Sequence, residues 1–132
     1  MAKFKFKFLF FGWLILITFL SLDSFEGLDT GGFNIPHLDK AVHFTFYFVA
    51  ALLGCLALRE QTNGHWNIVK TSIYVFLFCI LYGIIIEVIQ TNYTETRQGE
   101  SWDVLANSVG ALAGLMVLKI LFSGKSGIKW KI

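Results

Sequence analysis

Charge is scarce in this sequence: Asp, Glu, Lys and Arg make up 15% of 132 residues against 55% hydrophobic ones, and the mean hydropathy is +0.63. A soluble domain of this size buries only a limited core, so such long uncharged runs would leave aggregation-prone apolar patches. An integral membrane protein of one domain, residues 1–132, is expected. The net charge of +2 is too small and too dispersed for a nucleic-acid partner. Cysteine is rare too, and Cys55 and Cys79 lie in apolar runs without metal-ligand spacing. That excludes a readable disulfide framework or zinc motif and leaves both as small packing residues. No G-x-S-x-G elbow, H-E-x-x-H pair, phosphate-cradling glycine loop or internal repeat occurs, so a familiar hydrolase is not supported.

What is present is a set of apolar runs. Residues 8–22, 41–58, 71–90 and 103–122 are nearly free of charge and long enough, or almost so, to cross a hydrocarbon layer of about 30 Å as helices. The first is short, and Lys5 and Lys7 can snorkel to the headgroups while Phe4, Phe6 and Phe8 extend it. The Lys-Phe alternation also fits a short strand, but its place against an apolar run favours an interfacial anchor. A basic N-terminus before an apolar run resembles a signal peptide, yet no small-x-small cleavage site follows, and a retained first span is expected. The lone proline, Pro36, with Gly31-Gly32 marks residues 23–38 as irregular, while Gly64 and Gly99 mark the two later turns.

Direction follows from the Lys and Arg residues, which are retained on the cytoplasmic side of short spans. Nine of the 11 fall at the N-terminus (Lys3, Lys5, Lys7), around residues 59–70 (Arg59, Lys70) and at the C-terminal end (Lys119, Lys125, Lys129, Lys131). Acidic residues favour the other loops, where only Lys40 and Arg97 are basic. The expectation is therefore an all-α, four-transmembrane-helix antiparallel bundle with both termini cytoplasmic.

Polar residues interrupt the spans at one end. Asp39, His43 and Tyr47 recur every four residues, about 400° per step, and share one helical stripe. Asp39 is placed to accept the imidazole N–H and fix its tautomer. In the third run Gly83, Glu87 and Gln90 share a face, and Glu87 lies inside a stretch of Leu, Ile, Phe and Val. An ionisable group there costs roughly 2.5–3.5 kcal/mol and must face the bundle or a wet cavity. In the fourth run Asp103, Asn107, Gly110 and Gly114 form one stripe: Asp103 suits a helix N-terminus, the buried Asn107 amide needs two partners, and the glycines permit close helix contact. Antiparallel spans bring all three stripes to the outer leaflet. Arg97 is the expected counter-ion of Glu87 or Asp103, or else a fork for a phosphate or carboxylate.

Together, Asp39-Lys40-x-x-His43-x-x-x-Tyr47, then Glu87-x-x-Gln90, then Arg97-x₅-Asp103-x₃-Asn107 with Gly110 and Gly114 resemble the VanZ-like membrane protein family. The resemblance covers residues 39–114, and the first span fits it. It implies a small bacterial multi-pass protein of the cell membrane, in a family whose named member is associated with resistance to the glycopeptide antibiotic teicoplanin. It implies no mechanism. The residues themselves point to an outer-leaflet polar pocket that binds, and in one version modifies, an amphiphilic or lipid-linked envelope molecule. His43, Glu87 and Asp39 are the candidate catalytic groups, and Lys40, Tyr47, Gln90, Arg97, Asp103 and Asn107 the candidate substrate contacts. No cofactor or metal is expected, although Asp39, His43, Glu87 and Asp103 carry ligand chemistry for a divalent ion as an alternative. A proton-coupled transporter and a purely structural helix bundle are the competing readings.

Overall fold

The computed structural model describes residues 5–22, 38–93 and 101–122. They form four helices: α1 (Lys5–Leu22), α2 (Leu38–Gln61), α3 (Ile68–Tyr93) and α4 (Ser101–Leu121). The segments at 23–37 and 94–100, with the turn expected at Gly99, and the basic tail after residue 122 lie outside the described residues. Each helix extends beyond the apolar run that announced it, by three residues at either end of α2 and α3. Hydropathy stops at the first charged side chain, whereas helical hydrogen bonding continues into the polar interface. Lys5 and Phe6 accordingly belong to a helix and not to a strand.

Three stretches are long and apolar enough to cross a membrane: Lys40–Gln61, Ile68–Ile89 and Asp103–Leu121. Large apolar side chains face outward from them and from α1, with Phe8, Ile15, Phe19, Met116 and Ile120 all more than 60% exposed. An apolar exterior of this kind is what lipid solvates, and helices satisfy their backbone polar groups within themselves.

Helix α2 is the hub. It packs on α1, α3 and α4, while α1 and α4 do not meet among the described residues. The buried face of α2 is small where the helices come close: Ala50, Ala51 and Cys55 are fully enclosed. Helix α4 answers with glycine, since a Cβ built on Gly110 would stand 2.2 Å from the Phe44 carbonyl oxygen and one on Gly114 2.6 Å from that of Phe48. Without side chains there, the two backbones touch over a full turn, the small-x-x-x-small mode of helix contact in membranes. The contact runs in parallel, with Phe44 opposite Gly110 and Phe48 opposite Gly114, which levels the N-terminal ends of α2 and α4.

The opposite end is tied differently. The Glu60 carboxylate, near the C-terminus of α2, accepts from the backbone N–H of Phe6 at 2.8 Å and of Lys7 at 3.4 Å, capping α1 across helices. The α2–α3 turn uses left-handed backbone at Asn63 (φ 52°) and Gly64 (φ 75°), and the Gly64 N–H closes onto the Arg59 carbonyl. Asn67 then caps α3, its Oδ1 accepting from the Lys70 N–H at 2.7 Å. Helix α1 is pinned to α2 by Trp13, whose Nε1 donates to the Phe46 carbonyl at 2.9 Å, and to α3 by the hydroxyl pair of Thr18 and Tyr82.

Candidate functional site

The levelled ends of α2 and α4 meet the C-terminal half of α3, and polar side chains from all three helices turn inward there. Asp103, in the first turn of α4, is 3% exposed; His43 and Asn107 are each 2% exposed and Glu87 7%. These four come from three segments far apart in the chain. His43 Nδ1 and Asn107 Oδ1 are 3.0 Å apart, so the ring N–H donates to the amide oxygen. His43 Nε2 then faces Asp103 Oδ2 at 3.8 Å. Lys40 reaches the other carboxylate oxygen, with Nζ 3.6 Å from Asp103 Oδ1 and about a quarter of its side chain exposed. His43, Glu87 and Asp103 each offer one ligand atom to a common point, the three atoms lying within 4.8 Å of one another.

Gly83, one helical turn before Glu87, makes the space for this arrangement. A Cβ at Gly83 would lie 2.8 Å from Asn107 Nδ2 and 3.5 Å from the Tyr47 hydroxyl. Tyr47 is 2% exposed and its hydroxyl lies beside Gly83, so it closes the deep end of the niche. Below it the core is mostly apolar, with Ala50, Ala51, Cys55, Ala111 and Leu118, and the buried hydroxyl of Thr71 near the far end. The imidazole also has an aromatic wall: the Phe46 ring centroid is 6.3 Å from that of His43, and Trp13 meets Phe46 edge-on at 6.2 Å. Two buried carboxylates repel each other strongly in surroundings this poor in water. Lys40 beside Asp103 offsets that repulsion and keeps contact with the exterior.

Of the residues singled out from sequence, the structure brings together Lys40, His43, Glu87, Asp103 and Asn107, with Tyr47 one turn deeper than His43. Asp39 and Gln90 occupy helical positions in α2 and α3, but their side chains lie outside the described residues, and so does Arg97 altogether. Among the described residues the cation beside Asp103 is Lys40; Arg97, the expected counter-ion of Glu87 or Asp103, lies outside them. Among the described residues Asn107, 64 residues away, makes the imidazole contact on one ring nitrogen, and the contact expected from Asp39 falls on a side chain outside them. Trp13 and Phe46 were not singled out, because nothing distinguishes two aromatic residues among 14 Phe and four Trp.

A model of the VanZ/LLP1 family matches residues 3–122, nearly the whole chain. The chain belongs to the VanZ/LLP1 family. Family membership and the long apolar helices together make this VanZ/LLP1 protein a multi-pass membrane protein, in contact with membrane lipid along its outer surface. The matched range spans all four helices and every member of the buried polar cluster. No match was found among curated proteins or among solved structures.

Proposed function

We propose that this VanZ/LLP1 protein crosses the bacterial cytoplasmic membrane four times as one domain, with both termini inside, and binds an amphiphilic or lipid-linked envelope molecule at its outer end. The supporting observation is the convergence of Lys40, His43, Glu87, Asp103 and Asn107 at the levelled ends of α2 and α4. Buried groups this costly to hold in hydrocarbon are retained for a task, since hydrogen bonds between membrane helices return only about 0.6 kcal/mol on average. Orientation rests on the lysines and arginines, which favour the inside for the end where Glu60 caps α1. The polar niche then opens outward. In this reading Lys40 and Arg97 hold an anionic headgroup, and Asp39, Tyr47, Gln90, Asp103 and Asn107 shape the pocket around it. His43 and Glu87 stand where a proton can pass to or from the bound molecule. Teicoplanin, a lipid-tailed glycopeptide, belongs to the class of molecule such a site takes, as do lipid-linked glycans and phospholipid headgroups.

Transport is the weaker reading on one observation: among the described residues, the buried side chains inward of Tyr47 include Ala50, Ala51, Cys55, Thr71 and Leu118 and no carboxylate, imidazole or amine to serve as a relay. The test is mass spectrometry of lipids and small amphiphiles retained by the purified protein, compared between wild type and the variants Lys40→Ala and Arg97→Ala. A phosphate- or carboxylate-bearing amphiphile present in wild type and depleted in both variants is the expected result. Equal retention in all three preparations contradicts the pocket.

A further inference from the structure

We infer that His43, Glu87 and Asp103 form a binding site for a divalent transition-metal ion, Zn²⁺ or Mn²⁺, with a coordination position left open toward the outer leaflet. The three side chains come from three helices, are each at least nine-tenths buried, and bring one ligand atom apiece within 4.8 Å of one another. One imidazole and two carboxylates are a donor set suited to such ions.

The imidazole is already set as a ligand. His43 Nδ1 gives its proton to Asn107 Oδ1 at 3.0 Å, so in the neutral ring the lone pair sits on Nε2, the nitrogen that faces Asp103 Oδ2. Metal-binding histidines use this device: the second ring nitrogen donates to a fixed acceptor, which orients the ring and selects the tautomer. The facing distance fits as well. At 3.8 Å, Nε2 and Oδ2 are too far apart for a direct hydrogen bond. Two ligands bound at about 2.1 Å in a tetrahedral arrangement stand roughly 3.4 Å apart, so a slight contraction seats the ion between them. Lys40 contributes by engaging Asp103 Oδ1, which turns Oδ2 toward the imidazole.

The charge balance favours a dication. Among the described side chains, two carboxylates and one ammonium leave a net negative niche, and an ion of charge two reverses its sign. Three protein ligands are the pattern of sites that keep a place for an exchangeable ligand. Here, resting on the reading proposed above, that ligand is a phosphate oxygen of an anionic amphiphile. The ion then binds the headgroup directly while Lys40 supports it from the rim.

The test uses the full chain, purified in detergent, stripped with a chelator and reloaded with Zn²⁺ or Mn²⁺ before its metal content is measured by mass spectrometry. About one ion per chain is expected in wild type. Glu87→Gln and His43→Gln should each abolish it, and Asn107→Ala should weaken affinity by about 10–100-fold, because it removes only the support of the ligand. The thermal midpoint of wild type should rise on metal addition and fall on chelation, a readout that does not depend on any variant folding. Wild type that takes up neither ion, or uptake unchanged in both Glu87→Gln and His43→Gln, overturns the site. Retained amphiphile is measured on the same preparations. Metal without amphiphile refutes the pocket reading and leaves the metal site standing, whereas amphiphile without metal does the reverse.

Discussion

Asn107 joins α4 to the His43 imidazole, and its amide nitrogen occupies the space that Gly83 leaves open on α3. Losing a hydrogen bond between membrane helices costs about 0.6 kcal/mol on average and about 1.7 at most. Asn107→Ala is therefore expected to lower stability modestly in a denaturant titration while depleting the retained amphiphile far more. Gly83→Ala should behave alike, since its new methyl would lie 2.8 Å from Asn107 Nδ2 and swing the amide off the imidazole. A large loss of stability with unchanged retention in both would mark the cluster as scaffolding. Glu87, Asp103 and His43 could be picked out because each is a polar residue where lipid-compatible ones are the rule. Their partners were less legible. A four-residue spacing made Asp39 the expected neighbour of the imidazole, and its side chain lies outside the described residues; the neighbours observed, Asn107 and Asp103, come from another helix, and no single sequence encodes which helices adjoin.

Helices α2 and α4 are held close by glycine backbone inward of the polar contacts that join their N-terminal ends. Gly110→Ala would put a methyl 2.2 Å from the Phe44 carbonyl, a backbone atom that cannot step aside. Overpacking of this kind costs about 1–3 kcal/mol, and here it also parts His43 from Asn107, so both stability and retention should fall. Gly12→Ala is the control: nothing lies within 4 Å of the added atom, and replacing a helical glycine gains about 0.5–1 kcal/mol. At the other end, Glu60→Ala removes the acceptor for Phe6 and Lys7 and should cost about 0.5–2 kcal/mol. Faster hydrogen–deuterium exchange at those two amides, with the α4 amides unchanged, is the expected signature. The α4 glycine stripe was readable from spacing alone, because seven-residue and four-residue offsets are properties of one helix. The Glu60 cap was not, since it reaches 54 residues back along the chain.

For the molecule as a whole, apolar runs and turn residues were enough to announce four helices, because hydropathy and helical period are local properties. The central place of α2, and the separation of α1 from α4, depended on side-chain sizes on several helices at once and could be seen only in three dimensions. The sidedness proposed from charge can be checked at the α2–α3 turn. Cys55 and Cys79 are buried, so Asn63→Cys supplies the one accessible thiol among the described residues. An impermeant maleimide should label it only after the membrane is opened; labelling in intact cells would invert the topology. The central claim is that side chains from α2, α3 and α4 act as one binding site, and a double-variant cycle measures this most directly. Amphiphile retention is determined for His43→Ala, Glu87→Gln and the two combined. The double variant should retain about as much as the worse single one, a coupling on the order of 1 kcal/mol or more. Losses that simply multiply would contradict a shared site.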